Sequence, residues 1–152
     1  MDREGLELSP RKVEYLKYLF EQGTSVKTNN LATYFGVDPS TITKTISELA
    51  EWGYITHTPY HGVSLSESGR LYTEFLLKRH RILSLMLTHF GLSDEQACAE
   101  VSRFESLVSR DAVDRMCHAM GHPQQGICGK ITHDDGCRHA ECIAADKKIM
   151  WQ

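Results

Sequence analysis

Cys117, Cys128, Cys137 and Cys142 crowd the C-terminal part of the chain, together with His118, His122, His133 and His139. Thiolates and imidazoles are the ligands of structural zinc, and thiolates those of iron–sulfur clusters. The cysteines are separated by ten, eight and four residues, which is not the paired spacing of a zinc ribbon. A mixed Cys/His zinc site and an iron–sulfur cluster both remain open. The plainer alternative is a tail with incidental thiols. Reduced thiols at this density without a role would be an oxidation liability, which favours metal. A second constellation lies upstream. Cys98, Ser102 and Glu105 are spaced by four and then three residues, so on a helix they line one face, with Ser106 beside them. His80 falls in the preceding long apolar-periodic stretch and can face them. Imidazole, thiolate and carboxylate together suit Fe²⁺, Zn²⁺ or a similar ion. Spacing alone reads more simply, with Cys98 as a small buried side chain and Glu105 as a surface charge.

The elements that must position these residues follow from periodicity. Ser9-Pro10 opens a helix with Val13, Leu16, Leu19 and Phe20 on one face and Gly23 at its end. Ser66-Glu67-Ser68-Gly69 starts a long helix to about His89, with Leu71, Phe75, Leu76, His80, Leu83 and Leu87 at helical spacing. Ser93-Asp94-Glu95 caps a helix running to about Val108. Another helix spans about Ser109 to Met120, and Gly121-His122-Pro123 ends it. Beyond Pro123 the chain shows no period, as expected of a metal-organised loop or a disordered tail.

Residues 24–65 read as a nucleic-acid module. Leu31, Ala32 and Phe35 give a short helix its core face. Gly36 supplies the positive φ of a tight inter-helix turn, and Val37 plugs the gap. Asp38 is placed as an N-cap, with Pro39 at the first helical position. Ile42, Ile46 and Leu49 carry the core face of a second helix. Pro39, Ser40, Thr41, Thr43, Lys44 and Ser47 fall away from that face, as small hydrogen-bonding groups and a cation suited to phosphates and base edges. Gly53–His57 and Gly62–Leu65 read as a hairpin, or wing, with Tyr60 and His61 at its tip. Lys27 stands before the first of these helices as a further phosphate contact.

Composition sets outer limits. The chain has 152 residues, 41% of them hydrophobic, and a net charge of −3. That charge gives no global attraction to DNA, so binding must rest on a local surface and on dimerisation. No apolar run is long enough to span a bilayer. The start, Met1-Asp2-Arg3-Glu4-Gly5, lacks a secretory layout, which predicts a cytoplasmic protein without membrane partners. No H-E-x-x-H, Ser/His/Asp order or Gly-rich phosphate loop is present, so an enzyme is not expected.

The order of elements resembles the diphtheria toxin repressor-like (DtxR/MntR) family of metal-dependent transcriptional regulators, over roughly Ser9 to Pro123. The resemblance rests on Asp38-Pro39-Ser40-Thr41-Ile42-Thr43-Lys44-Thr45-Ile46, Leu65-Ser66-Glu67-Ser68-Gly69-Arg70, Lys78-Arg79-His80-Arg81-Ile82-Leu83, Glu100-Val101-Ser102-Arg103-Phe104-Glu105 and Gly121-His122-Pro123. It implies a mainly α chain with an N-terminal winged helix-turn-helix DNA-binding domain (1–70), a helical metal-binding and dimerisation domain (71–123) and a Cys/His-rich C-terminal segment (124–152). It implies a metal-responsive repressor of the iron or manganese type, binding double-stranded operator DNA as a homodimer. His80 and Glu105 match family ligand positions, Cys98 falls where the family can have a second-site His, and Glu14 lies one turn beyond Arg11. Arg11, Ser84, Ser102 and Ser106 replace ligand-bearing positions, and a guanidinium could take the place of the cation beside Glu105. Two alternatives stay open. One is a redox- or iron–sulfur-responsive winged-helix regulator with a degenerate divalent site. The other is a small metal-binding protein that does not bind DNA.

Overall fold

The structure is a computed structural model that describes residues 3–134 and Cys137. The described chain divides into two units, residues 11–74 and residues 3–10 with 75–134 and Cys137.

In the first unit, α1 (Pro10–Gln22) buries Val13, Leu16 and Leu19, the face set by its apolar period. Next, α2 (Thr28–Phe35) ends at Gly36, whose φ of +61° is the left-handed cap that only glycine adopts without strain. Then α3 (Pro39–Glu51) buries Ile42, Ile46 and Leu49. Asp38 occupies the N-cap position with extended backbone, but its side chain makes no capping hydrogen bond. The cap is therefore a backbone one, with the Asp38 carbonyl accepting from Ile42 N at 3.2 Å. Lys12 Nζ meets Glu48 Oε2 at 2.6 Å and ties α1 to α3. The wing is β1 (Ile55–Thr58) paired antiparallel with β2 (Gly62–Leu65), with Val26 bridged to Val63 along its edge. Gly62 is required there, because a Cβ would lie 2.3 Å from the Val26 carbonyl oxygen.

The long helix α4 (Glu67–Thr88) starts where Ser66 Oγ accepts from Gly69 N at 3.0 Å and donates to Gly53 O at 2.6 Å. Leu71, placed on its core face by periodicity, is exposed, and Tyr72 is buried in the same turn. The second unit continues with α5 (Asp94–Phe104), held by a full capping box of Ser93 and Gln96. The sequence expectation of one helix to Val108 is corrected here. The helix ends at Phe104, and a tighter 3₁₀ turn follows over Glu105–Leu107. Then α6 (Arg110–Ala119) is capped by Ser109. The segment without period contains a small hairpin, β3 (Gln125–Gly126) with β4 (Gly129–Lys130). Among the described residues no helix is long and apolar enough to cross a membrane.

Candidate functional site

Three groups of side chains carry the chemistry. The first lies on the unit of residues 11–74. Pro39, Ser40, Thr41, Thr43, Lys44 and Ser47 are all exposed along α3, because Ile42, Ile46 and Leu49 take the opposite face. Thr43 Oγ1 donates to Pro39 O at 2.8 Å, so toward a ligand its oxygen offers lone pairs rather than a proton. Lys27 is exposed ahead of α2. At the wing tip Tyr60 is 100% exposed with φ +66°, and His61, also exposed, accepts from Ser25 Oγ at 2.7 Å through its carbonyl. The Lys12 ammonium hydrogen-bonded to Glu48 holds that carboxyl below its ordinary pKa, with Lys44 adding to the effect.

The second group lies between α4, the 3₁₀ turn and the β3–β4 hairpin. Glu105 is 5% exposed, and its Oε2 meets His80 Nδ1 at 2.5 Å. This corrects the simpler reading of Glu105 as a surface charge. It also corrects the shared helix face, since Ser102 is exposed and donates to Cys98 O at 2.9 Å. Glu105 N still donates to Val101 O in the helical manner, so Glu105 continues the buried face of Ala97 and Val101. One ring nitrogen of His80 and the sulfurs of Cys98 and Cys128 lie within 4.8 Å of one another. Burial, then the nearby Cys128 and the acidic Asp94 and Glu105, push the Cys98 thiol up. Cys128 is carried here by the hairpin. Arg81 Nη1 donates to Lys130 O at 2.6 Å, and at Gly129 (φ +148°) a Cβ would lie 2.8 Å from that guanidinium. Ser84 and Ser106 are buried. Arg11 and Glu14 pair on the exposed face of α1 at 3.3 Å.

The third group divides the C-terminal cysteines, which spacing alone leaves as one site or two. Cys117, His122, His133 and Cys137 bring their ligand atoms within 4.8 Å of one another, while Cys128 is turned away to His80 and Cys98. His118 stands behind the cluster, its Nδ1 3.2 Å from His122 Nε2. Cys142 and His139 lie outside the described residues. Burial pushes the Cys117 thiol up to about 12, with Cys137 beside it adding to the rise. Burial, then the neighbouring imidazoles of His118 and His133, lower the pKa of His122. Two cysteine sulfurs and two imidazole nitrogens brought together are a donor set for a cation that displaces thiol protons.

Sequence reasoning did not anticipate the buried pair of Lys78 and Asp114 (2.7 Å). Burial works against the Lys78 charge, but hydrogen bonds to Asp114 and Cys137 outweigh it and raise the pKa. The available signal was a Lys-Arg step inside an apolar helical stripe.

The family described as iron dependent repressor, N-terminal DNA binding domain, matches residues 7–63, and iron dependent repressor, metal binding and dimerisation domain, matches residues 66–134. The chain is 31% identical over 108 residues to an HTH-type transcriptional regulator of Methanocaldococcus jannaschii, covering 68% of this chain and 86% of the relative. It is 29% identical over 104 residues to the HTH-type transcriptional regulator MntR of Geobacillus kaustophilus, covering 68% and 74%. A solved manganese-dependent transcriptional repressor in complex with manganese superposes with a TM-score of 0.64 at 28% identity, covering 82% of this chain. The chain spans 63% of that repressor's length.

Proposed function

The chain belongs to the iron-dependent repressor (DtxR/MntR) family and is a metal-dependent transcriptional regulator rather than an enzyme; we propose that it acts as a homodimeric repressor whose operator affinity rises when His80, Glu105, Cys98 and Cys128 take up an iron(II)-type ion. The observation that carries this reading is the buried Glu105–His80 pair with two thiols beside it. Two thiolates and an imidazole favour iron(II) or zinc, whereas manganese prefers carboxylate, carbonyl and water. Iron(II) is therefore favoured over manganese as the signal.

Dimerisation is supported by Phe90 and Leu107, which are 71% and 79% exposed on the unit that the dimerisation family matches. A second copy of this chain is the partner that would cover them. Two α3 helices related by a two-fold would then address half-sites about one helical turn apart. The ion acts by binding the DNA-competent arrangement better than the other, a coupling of about 5- to 150-fold in affinity.

In this reading Ser40, Thr41, Thr43, Lys44 and Ser47 meet the major groove, with Lys27, Tyr60 and His61 on the flanking backbone. Lys44→Ala weakens binding to all duplexes alike. It also lowers the log–log salt slope by about 0.9 for each phosphate left without its cation, so about 1.8 for a dimer. Fluorescence anisotropy across a salt series reads both numbers. An unchanged slope would remove Lys44 from the interface.

A second reading has its own observation, the proximity of the Cys98 and Cys128 sulfurs. A peroxide could take two electrons and two protons from these thiols, leaving a disulfide and water. Operator titration of metal-free protein before and after peroxide separates it from metal sensing.

A further inference from the structure

We propose that Cys117, His122, His133 and Cys137 form a resident tetrahedral zinc site, separate from the sensory ion, that fastens the C-terminal segment to α6. The geometry supports this in four ways.

The first is ligand spacing. In a tetrahedron, a Zn–S bond near 2.3 Å and a Zn–N bond near 2.05 Å put sulfur and nitrogen about 3.6 Å apart. Cys117 Sγ lies 3.6 Å from His122 Nδ1 and 3.4 Å from His133 Nδ1. Cys137 Sγ lies 3.3 Å from His122 Nδ1 and 3.8 Å from His133 Nδ1. All four cross-distances bracket the value for one small ion. A [2Fe–2S] cluster with two Cys and two His places the sulfur and nitrogen pairs on different irons, which needs them farther apart.

The second is the orientation of the imidazoles. His133 Nε2 donates to Pro123 O at 3.0 Å, which fixes the tautomer that leaves Nδ1 free to ligate. His118 Nδ1 lies 3.2 Å from His122 Nε2 and accepts from it in the tautomer that frees His122 Nδ1. Metal-bound imidazoles are held in this way by outer partners.

The third is charge. Two thiolates and a zinc ion sum to zero, and the buried Lys78 ammonium at the Cys137 sulfur is balanced by Asp114 at 2.7 Å. The charges of this cluster then cancel.

The fourth is closure. Both sulfurs are buried and four protein ligands complete a tetrahedron, leaving no open position for a reacting molecule. Such a site is structural. It also closes the loop that carries β3, Cys128 and β4, so it holds Cys128 where His80 and Cys98 can use it.

The test uses the full chain, purified without added metal and dialysed against EDTA under native conditions. Elemental and sulfide analysis is expected to show about one zinc per chain, retained after dialysis and released by a mercurial thiol reagent. Exchange of that zinc for cobalt(II) in the wild-type chain is expected to give intense red-region d–d absorption with thiolate charge-transfer bands. Cys117→Ser is expected to lose the retained zinc and Cys128→Ser to keep it. Retained iron with stoichiometric sulfide, weak octahedral cobalt bands, or loss of the retained zinc in Cys128→Ser would each overturn the proposal. The readout is independent of operator binding, so a failure of the sensory reading does not register here.

Discussion

Glu105→Ala abolishes the metal-dependent rise in operator affinity and leaves metal-free binding within about twofold. Glu105 comes from the 3₁₀ turn, is buried, and touches His80 Nδ1 at 2.5 Å. In the proposed site, removing it takes away the buried carboxylate that holds the His80 ring. Changes to outer partners of a metal site cost about 10- to 100-fold in affinity, and loss of this buried carboxylate is expected at the upper end of that range. Glu105→Gln keeps the shape and removes the charge, and should fall between. Isothermal titration with iron(II) under anaerobic conditions, paired with operator anisotropy, measures both quantities. An Ala variant that binds iron(II) as tightly as the parent would move the sensory site elsewhere.

Gly69→Ala destabilises the unit of residues 11–74 by about 1–3 kcal/mol, the range for forced overpacking. Helix propensity alone gives the opposite sign, since Gly to Ala inside a helix gains about 1 kcal/mol. Packing decides against it. A Cβ at Gly69 would stand 1.8 Å from the Tyr54 carbonyl oxygen and 2.7 Å from its carbon. These are backbone atoms that cannot turn aside by changing rotamer. The same carbonyl accepts from Ser66 N at 3.0 Å, so moving it also disturbs the start of α4. A urea midpoint that rises in the variant would mean that α4 does not approach Tyr54 this closely.

The DNA-reading half is legible because each local signal agrees with the fold. Gly36 is left-handed, Pro39 sits at the first turn of α3, and the apolar period at Ile42, Ile46 and Leu49 decides which side chains face out. The metal-bearing half is less legible, for physical reasons that differ by residue. Glu105 continues the buried face of Ala97 and Val101, but a carboxylate on an apolar face reads as an ordinary charge until the His80 that meets it is placed by tertiary folding. Cys128 looks like a member of the C-terminal set because sequence distance is all that a spacing argument sees. The short β3–β4 hairpin, anchored through Arg81 and Lys130, reverses the chain and sends it to His80 instead. His122 and His133 could be named as donors, but their grouping with Cys117 and Cys137 depends on tertiary folding. The Lys78–Asp114 pair joins residues on different helices; the Lys-Arg step marks Lys78 as unusual, but nothing local names Asp114 as its partner.

Operator affinity of the wild-type protein before and after iron(II) is the measurement that bears most directly on a metal-governed gene regulator. The duplex is first selected from random sequences with the iron-loaded protein, and anaerobic titrations then compare chelated, iron(II)-loaded and manganese(II)-loaded samples. The expected result is tighter binding by about 5- to 150-fold with iron(II), a smaller gain with manganese(II), and a symmetric bound site with half-sites about one helical turn apart. Equal affinity with and without metal, or failure to enrich any sequence, would contradict it.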